Sequence, residues 1–429
     1  MKIIFRLFFI IIFTISFAFG GTEAINKYSQ IKIFVADRTT LEAIWNAGID
    51  FEGASGKIGG WMEFIANQYD LKKLNDNNIK YSVITDDLSK KIALELSQEN
   101  TPFNALGFGF GSMGGYYTFD EMTRQLDTMK LQYPSLISAK ESVGVTIEGR
   151  IIWAVRISNN PNVNQPNKPE VLLTGLHHAR EPEGMMAVMY YMWWLLQNYG
   201  IDADAIYLVN NRQHWFIPIV NPDGYVYNQT TNPTGGGLWR KNRRNNGGGV
   251  YGVDPNRNYG PFVMWNAPNG GSSTDSSSDV YRGTAPFSEP ENIAMDNFMR
   301  AHNIKSCFNY HSYGNLLIYP WGYLSRETAD SLSFREYAYD MTGSSRFKSG
   351  TDLQTVNYST RGNSDDYMYG DNTKPQTFAM TPEVGTTFWP AKTQIIPLAT
   401  QCLGQNKLLS YIAGHYSTLK KYEDRKSVV

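Results

Sequence analysis

The chain has 429 residues, with 39 Lys plus Arg against 40 Asp plus Glu and a net charge of −1. That balance excludes a protein built chiefly to bind nucleic acid or to coat an anionic membrane, and 14% aromatic with only 18% charged residues excludes a disordered chain. Two cysteines exclude a disulfide scaffold, and six histidines leave a short list for any metal site.

In chain order, Lys2 and Arg6 precede residues 7–19, which are apolar apart from Thr14 and Ser16, with small residues at Ala18 and Gly20. This predicts a secretory signal peptide over residues 1–20, because the run is short against the ~20 residues of a membrane-spanning helix. The mature chain is then expected outside the cell, with no membrane contact after cleavage. Export permits a disulfide, yet Cys307 and Cys402 read more simply as two buried apolar side chains.

Residues 27–97 read as a small separate unit. SQIKIFVA alternates as a strand, TTLEAIWNAG is a helix capped by Thr, and GKIGGWMEFIA is strand material. QYDLKKLNDNN is a second helix and KYSVITDD a last strand. The order β-α-β-α-β, with room for one more strand, predicts a ferredoxin-like α+β module. Residues 98–115, rich in Gly and poor in charge, read as a linker or exposed loop.

Beyond it, residues 116–420 follow another pattern. A helix capped by Thr118 ends before Pro134, and buried-strand runs occupy residues 151–157, 171–176, 215–220, 306–310 and 377–381. Helical stretches at 184–199, 289–302 and 331–342 lie between them, and a last one at 394–414 is interrupted near Pro397. This alternation predicts one α/β domain on a mostly parallel mixed sheet flanked by helices. Ligands on such sheets bind at the strand ends, so the residues just after each strand matter most.

One such segment is TGLHHAREPEG, residues 174–184. His178 and Glu181 can meet on one ion, and His311, directly after the strand KSCFNY, can join them. Two imidazoles and a carboxylate suit zinc and leave a fourth position for water. His177 is a rival ligand, four residues before Glu181. His214, His302 and His415 read as structural.

Further segments add to this: GLWRKNRRNNGGGVYGVDPNRNYG, HSYGNLLIYPWGY, VNYSTRGNSDDYMYG and QTFAMTPEVG, together with GVTIEGRIIWAVRIS and VNPDGY. In this order they resemble the zinc carboxypeptidases of the funnelin (carboxypeptidase A/B) family, from about Tyr117 to Tyr411. The resemblance implies one zinc per chain, held by His178, Glu181 and His311, with Asp254 accepting a hydrogen bond from the first His. It implies Glu383 as general base and Arg240 as stabiliser of the oxyanion. Asn256 and Arg257 match the pair that grips the substrate's terminal carboxylate, Tyr358 the mobile tyrosine above it, and Arg180 an arginine along the substrate path.

Within the pocket loop, Asp365 stands where members preferring basic residues carry an acid. Asn363 stands where the best-known members have glycine, which narrows or repolarises the pocket. Preference for C-terminal Lys or Arg is the expectation, with a broader preference and an apolar one as the alternatives. Residues 27–97 stand where family prosegments stand, implying a zymogen opened by an activating protease; a permanent accessory domain is the alternative. The expected activity is a secreted metallocarboxypeptidase releasing single residues from peptide or protein C-termini. A peptidoglycan-directed peptidase or amidase and an inert peptide-binding module are the rivals. Asn228-Gln-Thr and Asn357-Tyr-Ser are glycosylation acceptors in a eukaryotic secretory pathway.

Overall fold

The computed structural model describes residues 27–97 and 107–414. The expected signal peptide and His415 lie outside the described residues.

The small unit contains β1 (Tyr28–Val35), α1 (Arg38–Asn46), β2 (Ser55–Gly56), β3 (Gly60–Asn67), α2 (Gln68–Asp76), β4 (Ser82–Thr85) and α3 (Leu88–Ser97). Its antiparallel sheet runs β2-β3-β1-β4, the ferredoxin-like order. The core forms from the period-two face of β1, where Ile31, Ile33 and Val35 are buried, against Ile44 of α1 and Leu74 of α2. The cap of α1 is Asp37 rather than a threonine: its carboxylate accepts from the Thr40 N–H at 2.8 Å, so the helix starts earlier than expected. The last helix, α3, faces the large unit, where Leu88 and Leu96 join that unit's core.

The large unit starts with α4 (Phe119–Gln132), closed by a capping box in which Thr118 and Glu121 each bond the other's backbone N–H, at 3.2 and 2.9 Å. There follow β5 (Glu141–Val145), β6 (Ile151–Ile157), β7 (Glu170–Thr174), α5 (Pro182–Asn198), α6 (Ala203–Asn211), β8 (Gln213–Ile217) and α7 (Pro222–Thr231). After α8 (Phe262–Trp265) come α9 (Pro290–Ala301), β9 (Ile304–Asn309), β10 (Leu316–Ile318), α10 (Ser331–Ser345) and β11 (Lys348–Gly350). The chain closes with α11 (Asp352–Thr355), α12 (Ser364–Gly370), β12 (Phe378–Glu383), α13 (Lys392–Gln401) and α14 (Leu403–Ile412).

These strands form one eight-stranded mixed sheet, β11-β10-β12-β9-β7-β8-β6-β5, with the central run β12-β9-β7-β8 parallel. Alternation splits its side chains between two faces. Val171 and Leu173 of β7 pack under α5, whereas Leu172 packs with Met295 and Phe298 of α9. A parallel sheet covered on both sides accounts for the nearly unbroken apolar runs in the sequence. Helix α5 is buried along almost its whole length. Replacing Trp193 by Ala there should lower stability by about 3–5 kcal/mol, read as a lower denaturant midpoint; an unshifted midpoint would show that the site collapses without loss.

Three expectations need correction. The second half of the expected linker is not an exposed loop: Phe108 and Met113, and Tyr116 directly after it, are buried in the main core. A Cβ on Gly111 would fall 2.0 Å from the Tyr116 carbonyl, so the poverty of side chains there serves close packing. The C-terminal helical region breaks at Cys402, not at Pro397, which sits inside α13. Asn228 is buried, donating to the Ala179 and Trp239 carbonyls at 2.9 and 2.7 Å, which leaves no room for a glycan. Both cysteines are buried and unpaired. Among the described residues no helix is long and apolar enough to cross a membrane.

Candidate active site

Three neighbouring parallel strands, β7, β9 and β12, end on the same edge of the sheet. The continuations of β7 and β9 carry His178 with Glu181 and His311, and β12 itself ends in Glu383. Two backbone bonds lock the last two together: the His311 N–H donates to the Pro382 carbonyl, and the Val384 N–H to the His311 carbonyl, both at 2.9 Å. Pro182, in the first turn of α5, starts the helix directly behind Glu181. The helix can approach so closely because residue 184 is glycine; a Cβ there would lie 3.0 Å from Tyr310.

The result is a compact donor cluster. Glu181 bridges the two histidines, with one carboxylate oxygen 2.7 Å from His178 Nδ1 and the other 2.8 Å from His311 Nδ1. The two Nδ1 atoms are 3.0 Å apart. All three side chains are buried. A proton on each Nδ1 would serve the carboxylate but set the two rings' N–H groups against each other across 3.0 Å, whereas a divalent cation satisfies all four atoms. Two imidazoles and a carboxylate are a zinc donor set, so these residues fit that metal. His177 is turned away, its Nε2 2.9 Å from the Tyr259 hydroxyl, and burial lowers its pKa far below the ordinary value. His214 is buried within β8, and His302 pairs with Glu170 at 3.0 Å.

Behind the cluster, Asp254 lies 3.2 Å from His178 Nε2 and accepts from Arg240 Nε and Nη2 at 3.1 and 2.8 Å. An acceptor at that position fixes the imidazole tautomer that leaves Nδ1 free to bind. The 3₁₀ turn Pro255–Arg257 follows directly, with the Asp254 carboxylate accepting from the Asn256 N–H at 2.8 Å. Asn256 accepts from the Ser364 N–H at 2.9 Å, which ties this turn to the pocket loop. Arg257 donates through Nη1 to the Asn256 carbonyl at 2.8 Å, while its buried Nε has no partner among the described residues.

Glu383 is 9% exposed and one of its carboxylate oxygens is unpartnered among the described residues. Burial, and then the charge of Glu181, push its pKa well up. Beside it opens a cleft reaching Arg257, Tyr358, Asp352, Asp365 and Asp366. Asp365 accepts from Asn309 Nδ2 and from the Thr381 hydroxyl, both at 2.8 Å. Asp366 accepts from the backbone of Gly322 and Tyr323, a structural role. Asn363 caps α12 through the Asp366 N–H at 2.8 Å.

The small unit covers this edge. Arg180 pairs with Asp50 and Glu52, each at 2.9 Å. Glu52 also pairs with Arg240 and comes within 3.4 Å of His178 Nδ1. The ring of Tyr358 lies against Trp45 and Phe51 of the small unit, at 5.8 and 6.4 Å between centroids. Asp50, Glu52 and Asp352 are the site-facing residues that sequence reasoning missed. Asp50 and Glu52 stand two residues apart and Asp352 by itself, all in ordinary stretches with no motif to mark them.

The residues 122–403 match the family model described as zinc carboxypeptidase. Carboxypeptidase A2 of Rattus norvegicus is 30% identical over 358 residues, 80% of this chain and 81% of its own length. Carboxypeptidase B of Astacus astacus is 31% identical over 317 residues, 70% of this chain and 98% of its own length. The crystal structure of carboxypeptidase A from Helicoverpa armigera superposes with a TM-score of 0.73 at 20% identity, covering 91% of this chain and 98% of that one.

Proposed function

The chain belongs to the zinc carboxypeptidase family, a class of zinc-dependent exopeptidases that act on peptide C-termini, and on that premise we propose which of its residues do the work. His178, Glu181 and His311 hold the zinc. The observation that carries this is the convergence of their donor atoms at 2.7–3.0 Å on one sheet edge, beside Glu383. Bound there, zinc supplies a Lewis acid that polarises a carbonyl and lowers the pKa of water towards about 7.

Glu383 takes the proton from the attacking water and returns it to the leaving amine. Arg240 opposes the charge that develops on the carbonyl oxygen. Arg257 and Asn256 hold the terminal carboxylate, and Tyr358 closes over the bound residue. The free Nε of Arg257 supports this, because a guanidinium with an open edge is a built carboxylate receptor. Arg180 lies along the path that the rest of the peptide takes. The Asp365 end of the cleft receives the C-terminal side chain, with Lys and Arg preferred.

Residues 27–97 are a prosegment on this reading, with Asp50 and Glu52 holding Arg180 and covering the cleft. An activating cut then falls within residues 98–106, because the chain from Phe108 onward is built into the catalytic core. The basic and then apolar start at residues 2–19 supports export.

The test is C-terminal trimming of a mixed peptide pool by the cut protein, followed by mass spectrometry. Activity should vanish with a chelator and return with zinc; trimming that survives chelation would overturn the metal assignment. Arg257→Ala should cost about 2–5 kcal/mol in kcat/KM on free-carboxylate peptides, as for removing one member of a buried charged pair. An unchanged discrimination between free and amidated C-termini would remove Arg257 from that role.

A further inference from the structure

We propose that Glu52 of the small unit is a fourth protein ligand of the zinc, closing in the uncut chain the position that catalysis leaves open for water. This rests on the reading of residues 27–97 as a prosegment and deepens it.

The first support is place. Glu52 joins His178, Glu181 and His311 in one group whose ligand atoms all lie within 4.8 Å of one another. Two imidazole nitrogens and two carboxylate oxygens make a complete four-donor set. A closed set is the mark of a structural zinc site, whereas a catalytic one keeps three protein ligands and an open position. With Glu52 in place, the same centre belongs to the first kind; with Glu52 withdrawn, to the second.

The second support is charge. Arg180 already has Asp50 at 2.9 Å and Asp279 at 3.5 Å, and Arg240 already has both Asp254 bonds. Glu52 Oε2 pairs with both guanidiniums, which leaves Oε1, 3.4 Å from His178 Nδ1, to face the donor cluster. Adding a carboxylate to a pocket that also holds Glu181 and Asp254 costs heavily unless a further cation is present. The divalent ion that the donor cluster fits is that cation. Glu52 thus takes the place of a product: peptide-bond hydrolysis leaves a new carboxylate, facing the metal and Arg240.

The third support is preparation. The loop carrying Glu52 is held on both sides. Phe51 is 9% exposed, packing on Phe64 and Trp45 at 5.4 and 5.2 Å between ring centroids. The Tyr313 hydroxyl donates to the Gly53 carbonyl at 2.9 Å. Gly53 has φ +77 and a Cβ there would lie 2.9 Å from that hydroxyl, so the loop passes close to the catalytic unit only because residue 53 is glycine. The Glu52 N–H donates to Asp50, which keeps the two acids side by side.

The experiment uses the full uncut chain loaded with cobalt in place of zinc, as wild type, Glu52→Gln and Asp50→Asn. Cobalt absorption reports the ligand set directly. We expect Glu52→Gln to change the spectrum and to make it respond to added azide, while wild type and Asp50→Asn do not. With zinc in the site, Glu52→Gln should release the metal to a colorimetric chelator at least tenfold faster than Asp50→Asn. A Glu52→Asp variant, shorter but still a carboxylate, should fall between wild type and Glu52→Gln. Identical spectra for wild type and Glu52→Gln, in a full chain that does not trim peptides, would defeat ligation and leave the prosegment reading intact. A spectral change shared equally by Asp50→Asn would also defeat it, since loosening the unit would then suffice. Full trimming activity of the uncut wild type would remove the prosegment reading and the ligand together.

Discussion

Glu383→Gln should lower kcat by roughly 10²–10⁴-fold, the usual contribution of a positioned general base, with zinc content and KM nearly unchanged. The substitution preserves shape and hydrogen-bonding capacity but removes basicity. Glu383 is suited to that role by its surroundings. It ends β12, whose backbone is bonded to His311 on both sides, so its position relative to the donor cluster is fixed. One carboxylate oxygen has no partner. Burial, and then the nearby Glu181, make it a stronger base than a solvated glutamate. The measurement is steady-state kinetics on the cut protein, with metal analysis of the same samples. Unchanged turnover at full zinc occupancy would remove Glu383 from the mechanism. Lost zinc would mean that it holds the metal site together instead. The expected pattern, falling kcat at constant KM, separates chemistry from binding.

The contrast between what the sequence showed and what it hid is clearest at the edge where the two units meet. Central strands such as β7 and β9 were legible because a sheet buried on both faces leaves unbroken apolar runs. The short strands β10 and β11 were not, since three residues carry no period. The convergence of His178, Glu181 and His311 beside Glu383 was legible because these residues sit in distinctive segments of one domain, at the ends of recognisable strands. Glu52 and Asp50 were not, because their chemistry exists only across the interface. Nothing in their own segment demands an acid; the partner charges lie more than a hundred residues away, on Arg180 and Arg240. The glycines at 107–115 misled for a related reason: in a sequence glycine signals flexibility, but here it permits contact.

Asp365→Asn should reverse the proposed preference for C-terminal Lys and Arg. The Asp365 carboxyl is 7% exposed, and both its oxygens accept from neutral donors, Asn309 and Thr381. Burial pushes its pKa up to about 7. A Lys or Arg side chain entering the cleft would supply the cation that this carboxylate lacks. Losing one partner of such a buried pair costs about 2–5 kcal/mol, a fall of roughly 30-fold to several thousand-fold in kcat/KM for C-terminal Lys and Arg. Apolar C-termini should change little. The raised pKa gives the pH dependence a definite sign. Below about 7 the Asp365 carboxyl is protonated, so preference for basic residues should weaken from pH 8 to pH 6, and the Asn variant should lose that dependence. Stability provides a second check. An acid whose folded pKa lies above its unfolded value destabilises the fold increasingly as pH rises between the two values, so Asp365→Asn should gain relative stability at pH 8 and not at pH 4. Equal losses on basic and apolar substrates would assign Asp365 to the support of Asn309 and Thr381 and would remove it from specificity.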